Sequence, residues 1–154
     1  MTAYAALKIV HLLGVTLFVG NIIVTALWKT MADRTDQPTT IAYAQRLVTL
    51  TDCVFTAGGV ALLLIGGYGM VYFGGLNLRD PWLVWGQALF AASGVIWILV
   101  LIPIQIAQAR LARDFENSGD IPRRYWRLEK WWVGCGILAT ILPLINFYVM
   151  IFKP

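Results

Sequence analysis

Four stretches of this chain contain no Asp, Glu, Lys or Arg: residues 9–28, 53–78, 81–109 and 131–152. Each reaches the roughly 20 residues that a helix rising about 1.5 Å per residue needs to cross a hydrocarbon layer about 30 Å thick. The runs are continuously apolar rather than alternating. Backbone groups in lipid must be satisfied within the segment, so helices are favoured over a barrel. The expectation is an all-α transmembrane four-helix bundle with spans near 5–29, 42–75, 81–109 and 127–152, forming one domain over residues 1–154. The longest connection, residues 110–130, is mostly polar and leaves no room for a soluble domain. A composition that is 59% hydrophobic and 13% charged excludes an ordinary globular domain, where about 25% of residues are charged. The first run exceeds the apolar core of a secretory signal and has no basic cluster before it, so it is expected to stay in the mature protein.

The basic residues orient the bundle. If the four runs cross in turn, Lys29, Arg34, Arg46, Arg110, Arg113, Arg123, Arg124, Arg127 and Lys130 share one side, against Lys8, Arg79 and Lys153 on the other. Positive residues favour the cytoplasm, so both termini are expected to face out, on the periplasmic side if the membrane is a bacterial inner one. The net charge of +4 then follows from orientation, with anionic lipid headgroups as the partner of the Arg-rich loop. Nucleic-acid binding is not expected, because no soluble basic face with aromatic platforms exists.

Several residue types read as architecture. Trp28, Trp126, Trp131 and Trp132 on the inner side and Trp82 and Trp85 on the outer form an aromatic belt. Gly66, Gly67, Gly69, Gly74 and Gly75 allow close approach by a neighbouring helix or a flat ligand. Pro103 and Pro143 should bend the third and fourth helices. Cys53 and Cys135 lack metal-ligand spacing and read as buried small hydrophobes. Residues 39–51 mix apolar and polar positions and extend the second helix beyond the membrane on the inner side.

Two polar sets remain inside the spans. The outer set groups the lone histidine, His11, with Asn146, Tyr148, Met150, Tyr68, Met70, Tyr72 and Gln87; Lys8 lies three residues before His11 on the same helix face. An intramembrane ionisable group is a functional hypothesis by default. A b-type haem held by His11 fits this set, with Met70, Met150 or a second His11 from a homodimer mate as the other ligand, and Asn146 or Gln87 orienting the ring. A hydrogen-bonded packing histidine and a metal or proton-transfer role stand beside it. The inner set contains Thr51, Asp52, Asn21, Gln105 and Gln108; here Asp52 is expected to pair with Arg46, Lys29 or Arg110 as a structural clamp. A proton or cation path from Asp52 through Asn21 towards His11 is the alternative. No phosphate loop, GxSxG elbow, HExxH or mid-membrane carboxylate pair appears, so hydrolase and nucleotide-dependent activities are not expected.

The segments Leu7-Lys8-Ile9-Val10-His11-Leu12-Leu13-Gly14, Phe18-Val19-Gly20-Asn21, Ala26-Leu27-Trp28-Lys29, Thr51-Asp52-Cys53-Val54-Phe55-Thr56, Ile102-Pro103-Ile104-Gln105 and the tail from Tyr148 to Pro154 resemble a bacterial membrane family, domain of unknown function 2269. That resemblance spans essentially the whole chain and implies four helices in an inner membrane, without a reaction. The Lys8-x-x-His11 opening followed by Gly20 is more distantly similar to HemJ-type protoporphyrinogen oxidases and copper resistance D membrane domains, which implies His11 as a haem or copper ligand. No later basic motif matches the HemJ pattern. The resulting expectation is a haem- or tetrapyrrole-binding protein with an electron-transfer or porphyrin-handling role and a redox partner still to be identified. The alternative is a non-enzymatic copper or small-solute transporter or assembly subunit with His11 as a structural residue.

Overall fold

The computed structural model describes residues 3–153. Four long helices account for nearly all of them: α1 (Ala3–Asp33), α2 (Pro38–Gly74), α3 (Pro81–Ser118) and α4 (Arg123–Phe152). All four are long and apolar enough to cross a membrane, yet only 17–22% of the most apolar window of each is buried within the chain. Water would not tolerate that much outward apolar surface, and lipid does. Proline at the first turn opens α2 and α3, where its missing N–H costs no bond. Gly75 (φ 63°) and Gly119 (φ 76°) end the same two helices in the left-handed conformation that glycine adopts without a side-chain clash.

Residues 110–118 are helical, and α4 begins at Arg123, so the anticipated 21-residue polar connection is instead a short turn between two extended helices. The periodic placement of Leu111, Ala112 and Phe115 accounts for the extension. Together with Ile41, Ala42 and Tyr125 they close a small apolar core at the loop end of the bundle. Phe115 and Tyr125 meet edge to face at 5.3 Å.

Packing is close within two helix pairs. Along α1 and α2, Gly14, Gly59 and Gly66 bring backbones together; a Cβ added at Gly59 would sit 2.8 Å from the Phe18 nitrogen. Along α3 and α4, the Ser93 hydroxyl donates to the Ala139 carbonyl at 2.7 Å, and the Asn146 amide donates to the Gly86 carbonyl at 3.1 Å. The pairs converge at the loop end, where the first half of α2 packs on the second half of α3. Towards the termini only side chains bridge them, with Phe18 and Phe90 at 6.0 Å and the Tyr68 hydroxyl donating to Gln87 at 3.1 Å.

Two short π-helical segments interrupt the long helices, Asp52–Thr56 in α2 and Trp97–Leu101 in α3. The second immediately precedes Pro103, whose ring would otherwise press on the carbonyl of Leu99. Such wide turns recur at functional sites. Here both face the same interior.

Candidate functional site

Asp52 opens the π segment of α2, and its carboxylate collects donors from three helices. Oδ1 accepts from the Asn21 amide at 3.1 Å and the Thr56 hydroxyl at 2.9 Å; Oδ2 accepts from the Gln105 amide at 2.6 Å. Asn21 also donates to Thr56 at 2.8 Å and accepts from Thr25 at 3.2 Å. A carboxylate offers about four acceptor positions, so three neutral donors leave room for one more. No cation among the described residues lies within ion-pair distance of Asp52. This overturns the expected clamp. Arg46 pairs instead with Glu116 at 2.7 Å, and Lys29 turns into the loop end of the bundle.

Lys29 is 1% exposed. Its ammonium donates to Asp33 at 2.9 Å, to the Tyr125 hydroxyl at 3.1 Å and to Glu129, and sits 5.2 Å from the ring centres of both Tyr125 and Trp132. Tyr125 passes its proton side to Asp33 at 2.8 Å, and the Gln108 amide donates to Glu129 at 2.7 Å. One ammonium thus faces two carboxylates in a site nearly closed to solvent. The sequence offers Lys29 as a marker of orientation and a possible partner of Asp52, and gives no place to Asp33, Tyr125 and Glu129. The available signal was spacing: Lys29 and Asp33, like Tyr125 and Glu129, stand four apart and share a helix face.

Between these groups lies a cavity of about 350 Å³. Thr25, Asp52, Thr56, Ser93 and Gln105 supply its polar lining, and Phe18, Ile22, Trp97 and Trp132 its apolar walls. Ile23 of α1 and Ile137 of α4 also line it while remaining 54% and 57% exposed, so the cavity opens between α1 and α4. The indole nitrogens of Trp97 and Trp132 are buried without a partner among the described residues. Buried polar atoms are seldom left unpaired. Trp132, expected in the interfacial belt, is 8% exposed and belongs to this interior; Trp131 beside it is 63% exposed and fits the belt.

His11 sits between α1 and α2. Its Nδ1 lies 2.8 Å from the Leu63 carbonyl. A carbonyl can only accept, so Nδ1 carries a proton, and in the neutral tautomer that makes this bond the lone pair lies on Nε2. The glycines opposite give no slot for a flat ligand: the α1 backbone at His11 fills the space over Gly66, and the ring itself covers Gly67. The other residues expected around a haem are dispersed. Asn146 and Met150 pack on Gly86 at the α3–α4 interface, Gln87 bonds to Leu83 and Tyr68, Met70 is half-buried on α2, and Lys8 is exposed. The donor set within one chain therefore does not fit a haem with two axial ligands. No group of three metal-ligating side chains occurs among the described residues. The cysteines also depart from expectation, since Cys53 is exposed and Cys135 is half-buried. Cys53 follows Asp52 by a little over a quarter-turn of helix, so with Asp52 turned inward the thiol lies exposed.

The chain belongs to a family described as a predicted integral membrane protein, domain of unknown function 2269, whose model matches residues 5–154. No curated protein and no solved structure is detectably similar to it.

Proposed function

We propose that this chain is a small-solute binding and transport protein of the bacterial inner membrane, and that its site is the cavity over Asp52. The excess of basic residues at the loop end supports a cytoplasmic loop end and periplasmic termini. The single observation that carries the functional reading is the Asp52 carboxylate, held by neutral donors only, beside an aromatic-walled cavity. A negative group in low dielectric without a counter-ion is costly and is retained where it meets a charge or a proton in use. A small organic cation satisfies both features. Its charge takes the open carboxylate position, and its apolar groups contact Phe18, Trp97 and Trp132, whose ring faces attract cations. Lys29, Asp33, Tyr125 and Glu129 close the loop end below.

Binding of benzyltrimethylammonium and of its neutral isostere neopentylbenzene to the detergent-solubilised protein tests this, read by tryptophan fluorescence. The cation should bind at least tenfold tighter, and Asp52→Asn should abolish that preference in protein that still unfolds cooperatively. Equal binding of both probes, or a preference that survives in Asp52→Asn, rejects the reading.

A second reading rests on His11, whose Nδ1–H bond to Leu63 leaves Nε2 free to ligate in the manner of orientated metal-binding histidines. With one histidine per chain, bis-histidine ligation of a haem b or related tetrapyrrole requires a homodimer, and an electron-transfer role would require a redox partner. A Soret band in the purified protein that vanishes in His11→Ala supports it; a colourless folded protein after haem addition rejects it.

A further inference from the structure

We infer that the groove between the loop-end halves of α2 and α3 is a binding site for one anionic phospholipid. The groove encloses about 370 Å³ and changes character along its length. At the loop end each wall presents one guanidinium, Arg46 from α2 and Arg113 from α3; deeper, Leu50, Cys53 and Ala109 make it apolar. Cys53 lies seven residues beyond Arg46, or about 10 Å along a helix, and begins the uncharged stretch of α2. The polar mouth therefore stands at the membrane boundary, with the apolar part inside the hydrocarbon.

That order matches a phospholipid read from headgroup to chain. Phosphate oxygens accept the parallel N–H donors of guanidinium, and an acyl chain lies along Leu50 and Cys53. The charge balance also favours an anion over a zwitterion. Glu116 neutralises Arg46 in part, binding one end of it at 2.7 Å. Arg113 makes no ion pair among the described residues. A net positive mouth remains after the internal pair is counted. Basic residues at a membrane surface each favour an anionic lipid by about fivefold, so one net guanidinium predicts a preference of that order. The groove is separate from the Asp52 cavity, and its occupancy does not depend on what that cavity binds.

The thiol of Cys53 reports on the groove directly. In full-length protein carrying Cys135→Ser, Cys53 is the sole cysteine, and its alkylation by N-ethylmaleimide can be timed in micelles containing phosphatidylglycerol or phosphatidylcholine. Phosphatidylglycerol should slow alkylation about fivefold more than phosphatidylcholine. The difference should disappear in the Arg46→Gln, Arg113→Gln double variant, whose two side chains are exposed and outside the core. Glu116→Gln, which frees Arg46, should enlarge it. Equal protection by the two lipids, undiminished protection in the double variant, or protection by inorganic phosphate alone would overturn the inference.

Discussion

Gly66→Ala should separate α1 from α2, and the structure sets the size of the effect. A Cβ at this position would lie 2.7 Å from both Cα and Cβ of His11. Carbon atoms rest at about 3.5–4.0 Å, so α1 must retreat by roughly 1 Å, and backbone cannot swing aside as a flexible side-chain tip would. Overpacking of this kind costs about 1–3 kcal/mol. The same retreat stretches the 2.8 Å contact between His11 Nδ1 and the Leu63 carbonyl beyond hydrogen-bond range. That bond contributes about 0.6 kcal/mol, with an upper bound near 1.7, by analogy with other membrane helices. The total is a loss of about 2–4 kcal/mol. Gly58→Ala is the matched control, about two turns away on the same helix with nothing within 4 Å of its added Cβ; there alanine should be neutral or slightly stabilising. Unfolding by sodium dodecyl sulfate in mixed micelles, followed by tryptophan fluorescence, gives both midpoints. A Gly66→Ala midpoint equal to that of Gly58→Ala would refute close backbone packing as the basis of the α1–α2 pair.

Lys29→Met should destabilise by about 3–5 kcal/mol, because removing one partner leaves Asp33 and Glu129 as uncompensated buried carboxylates; adding Asp33→Asn and Glu129→Gln should recover most of it in the same unfolding assay. Failure of that rescue would show that the charges are not what the lysine compensates. Ser93→Ala removes the hydroxyl that joins α3 to the Ala139 carbonyl and should lower stability by about 0.6 kcal/mol, read as a small midpoint shift with unchanged transition slope.

The uncharged runs were enough to identify four spans, because lipid thickness and backbone hydrogen bonding admit little else. Asn21, Asp52 and Gln105 were likewise legible as one inner polar set, since depth along a helix follows from residue count. Partner choice at that depth was not legible. Asp52 and Arg46 stand six residues apart on one chain segment, yet the π segment and the α2–α3 crossing turn Asp52 towards three neutral donors and leave Arg46 to Glu116. A one-residue change in helical winding rotates a side chain to another face, and hydropathy carries no trace of it.

His11 shows the same division. Its burial at a helix interface followed from its place in an apolar run, whereas its bond to Leu63 and its distance from Met150 and Asn146 depend on which helices pair. Spans, their number and their common alternation across the bilayer belong to the linear sequence, because each helix satisfies its own backbone. The cavity over Asp52 and the enclosed Lys29 cluster exist only through the packing of separate helices, because their atoms come from positions a hundred or more residues apart.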